Sequence, residues 1–168
     1  MDEHDFESAG AEQAPPIEML AAYCEAHGWD HDRVNEDELV ATVQGSWASY
    51  EVRAIWRTSD HVLQLIILPD VRVLEDKRAA IWETLSLINE QMWLGHFELW
   101  SSSGSVIFRH ALLLSPNEGL SLSQAETILE TAIDECERFY PVFQFVLWGG
   151  KSPADAISAS MIETHGEA

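Results

Sequence analysis

From Pro16 onward apolar residues recur every three or four positions, at Ile17, Leu20, Ala21 and Cys24, and Gly28 follows as a stop. Proline is tolerated in a first turn, so this spacing predicts a short helix. After the polar stretch DHDRVNEDE come the runs ELVATVQGSW, SYEVRAIWR and HVLQLIILP, rich in Val, Ile and aromatics and separated by Gly/Ser or Thr-Ser-Asp. They predict an antiparallel meander. In the second run Tyr50, Val52, Ala54 and Trp56 alternate with Glu51, Arg53, Ile55 and Arg57. That is the period of a strand packed on one face and wetted on the other. The third run is apolar on both faces and belongs in the middle of the sheet.

Residues 75–94 set Ile81, Leu85, Ile88 and Met92 on one stripe behind an acidic start, which predicts an amphipathic helix of about five turns closed by Gly95. HFELW and GSVIFRHALLL, joined by SSSGS, read as a hairpin. A long helix then opens with Ser123 and Glu126 in a reciprocal capping arrangement and buries Ala125, Ile128, Leu129, Ala132, Ile133, Cys136 and Tyr140. Pro141 inside the pattern predicts a kink or a break into a second helix, VFQFVLW, ended by Gly149-Gly150. Ser152-Pro153-Ala154-Asp155 starts a terminal helix through about Ile162. The order is α-βββ-α-ββ-α-α. Strands arriving in runs argue an α+β fold, an antiparallel sheet of about five strands with helices on one face.

Residues 1–15 carry five acids, no Lys or Arg and run into Ala14-Pro15-Pro16, the composition of a disordered acidic tail. Residues 16–163 then form a single domain, and 164–168 a frayed end. The whole chain of 168 residues is 46% hydrophobic, with seven Trp, enough apolar surface for a folded core. Nine Lys+Arg against 29 Asp+Glu give a net charge of -20, which repels nucleic-acid phosphates and anionic membrane surfaces. No apolar run reaches the roughly 20 residues that cross a bilayer, and the acidic start is unlike a secretory signal. These features are expected of a cytoplasmic protein without nucleic-acid or membrane partners. Cys24 and Cys136 fall in helical patterns as reduced core thiols.

The chain carries no constellation that names a reaction. His27, Asp30, His31 and Asp32 offer metal ligands within six residues. Gly28 breaks the helix that would set the histidines one turn apart, so the stretch reads as a solvated loop. His96 and His110 could face each other across the hairpin, with Glu98 on the same face as His96. Ser101, Ser102, Ser103 and Ser105 around Gly104 read as a turn, and no G-x-S-x-G elbow, C-x-x-C pair, phosphate loop or calcium loop occurs. No catalytic residue, cofactor or metal is expected. Arg53, Arg57 and Arg109 stand on polar strand positions, where they form either a small basic strip or an ordinary wetted face. Trp47, Trp100 and Trp148 lie at element ends and are candidate anchors for a partner.

LGHFELW at 94–100, the following GSVIFRHALLL and RFYPVFQFVLWGGKSPADAI at 138–157 resemble the YbjN family, described as bacterial sensory transduction regulators. The most specific piece is Tyr140-Pro141 followed by Trp148, Gly149, Gly150, Ser152, Pro153 and Ala156. The resemblance spans about residues 16–163. It implies a fold like that of type III secretion chaperones, acidic α+β proteins that dimerise and hold segments of a partner, and it brings no catalytic set.

Two readings of function follow. In the first the chain is a non-catalytic protein-interaction module, chaperone-like or regulatory, in which a sheet face and its rim accept a segment of an unidentified partner. Trp47, Tyr50, Trp100, Phe143 and Trp148 supply the apolar contacts, and the module is a homodimer. In the second it is a small-ligand or metal-responsive sensor, or an enzyme, with a pocket between sheet and helix.

Overall fold

The computed structural model describes residues 14–165. The expected acidic tail, apart from Ala14 and Pro15, and residues 166–168 lie outside this span. Helix α1 (Pro16–Ala26) leads into four strands, β1 (Asp30–Asn35), β2 (Glu38–Gln44), β3 (Ser49–Arg57) and β4 (Val62–Leu68). A 3-10 turn at Glu75–Lys77 precedes α2 (Arg78–Asn89). Then come β5 (His96–Trp100), β6 (Ser105–Leu113), α3 (Leu122–Leu147) and α4 (Pro153–His165). The strands form one six-stranded antiparallel sheet in the order β1-β2-β3-β4-β6-β5. The α+β expectation therefore holds, with one strand more than expected.

The extra strand is β1, drawn from the polar stretch DHDRVNEDE and its flank. It sits at the sheet edge, pairs only with β2, and nearly all its side chains are exposed. An edge strand of this kind buries neither face, so no apolar alternation marks it. The central position of β4 is as its two-faced apolarity predicts. On the helix side of the sheet Leu39, Ala41, Tyr50, Val52, Ala54, Leu65, Ile67, Phe97 and Phe108 meet Ile17, Leu20, Ile81, Leu85, Ile88, Phe139 and Phe143 in one core. Phe97 is its aromatic centre, edge-on to Phe108, Phe139 and Phe143 at 5.5, 5.9 and 5.4 Å between centroids.

The helices depart from expectation at their ends. The cap of α3 is Ser121 with Gln124, not Ser123 with Glu126: the Gln124 amide donates to Ser121 Oγ at 3.1 Å, and the Ser121 amide donates to Gln124 Oε1 at 2.8 Å. Glutamine closes a capping box as well as glutamate does. Pro141 lies inside an uninterrupted α3. Phe139, Val142, Phe143 and Val146 are buried on both sides of it, and tertiary packing of this kind sustains a turn that has lost one hydrogen bond. Helix α2 stops at Asn89 and a turn covers residues 90–94, so the expected five-turn helix is shorter; α4 runs past Ile162 to His165. Gly95, at φ +66°, starts the return into β5 with its Cα against Phe108 and the Arg109 carbonyl, a backbone state and a gap that only glycine fits without strain.

Candidate functional site

Strand alternation puts Val40, Arg53, Ile55, Gln64, Ile66, Ile107, Arg109, Glu98 and His96 on the sheet face opposite the core. Register aligns Val40 with Arg53, Arg53 with Ile66, Ile66 with Arg109 and Arg109 with His96. Ile66 is only 6% exposed and Ile107 is fully buried, yet neither belongs to the helix-side core. Register sets Arg109 beside Ile66 and Glu98 beside Ile107 on the same face, and long charged residues lay apolar stems over such surface and keep their heads in water.

Glu98 organises that cover. Its Oε1 accepts from Arg109 Nη2 at 2.5 Å, from Arg109 Nε at 3.0 Å and from Trp100 Nε1 at 2.8 Å, and its Oε2 lies 2.9 Å from His96 Nε2. Arg109 also reaches across to Gln64 Oε1 at 3.1 Å. Burial alone would raise the pKa of Glu98. The donors from Arg109, Trp100 and His96, with the Arg109 charge, outweigh it and hold the carboxyl at about 2 instead of 4.5. Beside this cluster Arg53 pairs with Glu51 at 2.6 Å and Glu38 at 3.7 Å, and Arg57 with Asp60 at 3.1 Å. The three arginines are therefore each matched by an acid, and no free basic strip crosses the sheet. The face is a roof of paired charged side chains over an apolar floor.

Of the proposed contact residues, Trp47 (51% exposed, in the β2–β3 turn) and Trp148 (66%, at the end of α3) are open to solvent, and Trp100 is partly buried at the end of β5 beside Glu98. Tyr50 and Phe143 are corrected: both are in the core, on the inward face of β3 and under α3. Aromatic residues near element ends carry no sign of which way they point until the register is known. The register also separates His96 from His110, since His96 aligns with Arg109 and His110 with Leu65 on the helix side. The HGWDHD stretch does not converge either: His31 Nδ1 contacts the Trp29 carbonyl at 2.8 Å and its Nε2 lies 3.8 Å from Glu25. The network that the sequence reading missed, Glu98 with Arg109, Gln64 and Trp100, had one readable signal, opposite charges on paired hairpin strands.

Both cysteines are buried and free, and burial raises each thiol, Cys24 to about 11. Neither is suited to nucleophilic work. One cavity of about 250 Å³, walled by Phe139, Val142, Ile157 and Met161, lies between α3 and α4. Gln91, Arg138 and Ser160 complete its lining. Among the described residues no helix is long and apolar enough to cross a membrane.

The fold is shared with solved structures. YbjN from E. coli superposes with a TM-score of 0.53 at 10% identity, covering 79% of this chain and 90% of that one. A chain of the ExsC–ExsE complex superposes with a TM-score of 0.53 at 20% identity, covering 73% of this chain and 88% of that one. No curated protein matches the sequence. Residues 16–145 match the sequence profile of the family YbjN, described as "Putative bacterial sensory transduction regulator"; the tyrosine-proline step lies inside that span and the Gly-Gly-x-Ser-Pro ending beyond it. The chain belongs to the YbjN family.

Proposed function

We propose that this chain is a non-catalytic protein-interaction module, chaperone-like or regulatory, whose helix-free sheet face receives an extended segment of a partner protein. The observation that carries the reading is the apolar floor of Ile66 and Ile107 outside the core, roofed by Arg109, Glu98 and Trp100. Displacing those side chains would expose apolar area to a partner segment, with the Glu98 hydrogen bonds to Arg109 and Trp100 given up. Membership of a family described as regulatory supports the reading, as does a shared fold with a protein solved as a two-protein complex. The buried free thiols suit the cytoplasm as its setting. Trp47 and Trp148, both open to solvent, are further apolar contacts in this proposal.

Trp100→Ala and Ile55→Asp should each lower recovery of a captured partner by about tenfold or more, the usual weight of a central aromatic or apolar anchor. Asp134→Ala, on the exposed side of α3, should leave recovery unchanged. Equal recovery with all three variants would remove the sheet face as the docking surface.

Self-association is a separate part of the proposal. Leu74, Trp82 and Trp93 are all exposed, Trp93 completely, on α2 and the segments flanking it. Such surface favours cover by a second copy. Light scattering at micromolar concentration should then give about twice the 18.9 kDa mass of one chain; a mass near 18.9 kDa would exclude the homodimer.

A further inference from the structure

We propose that His27, Glu126 and Glu130 form a binding site for a first-row divalent metal ion, Zn²⁺ above all. The residues come from separate elements: His27 is the C-terminal cap of α1, and Glu126 and Glu130 stand one turn apart on α3. One ligand atom from each lies within 4.8 Å of the other two. A tetrahedral zinc with bonds of about 2.0–2.2 Å needs ligand atoms roughly 3.3 Å apart. All three side chains are exposed, so small rotamer changes close the set without moving the backbone.

The surroundings already hold the ligands in the required state. His27 Nδ1 lies 3.0 Å from the Tyr23 carbonyl oxygen, and the imidazole stacks on the Tyr23 ring at 4.0 Å between centroids. A carbonyl can only accept, so the proton sits on Nδ1 and the lone pair on Nε2. The Tyr23 hydroxyl donates to Glu130 Oε1 at 2.9 Å. Tyr23 therefore orients two of the three ligands, the outer-shell support that metal-binding histidines and carboxylates share. One imidazole and two carboxylates supply too few oxygens for calcium, which takes six to eight, and suit zinc or a neighbouring transition ion. A bound dication would also relieve the repulsion between Glu126 and Glu130 and tie α1 to α3.

The test is calorimetric titration of Zn²⁺ into the untagged, chelator-treated full chain. One site is expected. His27→Gln and Glu126→Gln should each weaken it by about tenfold or more, and Tyr23→Phe by about 10–100-fold. His31→Gln should leave it unchanged, and metal-free melting curves check that each variant is folded. Failure of the wild-type chain to take up Zn²⁺ at about 1 mM would overturn the site. So would unchanged affinity in both His27→Gln and Glu126→Gln, or a loss in His31→Gln equal to that in His27→Gln.

Discussion

Phe97→Ala is expected to lower the unfolding free energy by about 3–5 kcal/mol, the largest loss of any single truncation argued for this chain. The ring is 1% exposed and lies edge-on to Phe108 across the hairpin and to Phe139 and Phe143 on α3, so its removal empties the contact between sheet and long helix. The backbone of the same residue is also committed: the Asn89 side chain donates to its carbonyl at 2.9 Å and accepts from its amide at 2.8 Å. Cavity and edge contacts thus weaken together. For a chain of this size the midpoint should fall by on the order of 10 °C. Phe97→Leu should lose less than half as much, because most of the volume is kept. Denaturant unfolding of both variants checks this, and equal losses would show that ring packing is not what joins α3 to β5.

Glu98→Gln is expected to destabilise by about 1–2 kcal/mol at pH 7, a value reduced for the exposure of the carboxylate to solvent. The glutamine keeps the shape and loses the charge that Arg109, Trp100 and His96 donate to. Because the folded carboxyl titrates at about 2, below its usual 4.5, the stabilisation is fully present above about pH 4.5 and disappears as the pH falls through about 2. The stability gap between wild type and variant should therefore close between those limits. A gap that stayed constant from pH 7 to pH 2 would mean that shape and not charge holds the roof together. Partner binding gives a second readout, since a loosened roof uncovers Ile66 and Ile107 more readily.

Much of the fold was legible because its elements bury one face each. Tyr50, Val52 and Ala54 alternate, and Ile81, Leu85 and Ile88 recur at helical spacing, each for the same reason, contact with a shared core. What the sequence hid was structure made without burial. Strand β1 is held by backbone pairing with β2, so Asp30, Asp32 and Arg33 look like loop residues. Pro141 misled in the other direction, since local proline chemistry argues for a break and the buried residues on either side override it. The places of Trp47, Trp100 and Trp148 at element ends were legible, and of these Trp47 and Trp148 are exposed while Trp100 is partly buried beside Glu98. The Glu98 network had only the opposite charges on the paired hairpin strands as its signal, because its partners depend on which residues the β5–β6 register sets opposite one another, and that follows from the turn at Ser101–Gly104 as folded. Tyr50 alternates with Val52 and Ala54, and Phe143 lies on the buried side of α3 with Phe139 and Val146, so both face the core.

Photo-crosslinking tests the central claim most directly. A benzophenone amino acid placed singly at Ile55 or Ala111 on the helix-free face, and at Asp134 or Glu118 away from it, would be activated in cells producing the full chain. The products would be identified by mass spectrometry. A partner protein joined at Ile55 and Ala111 but not at Asp134 or Glu118 is the expected result. Crosslinks confined to Asp134 and Glu118, or none to another protein from any of the four, would contradict a sheet face that receives a partner segment.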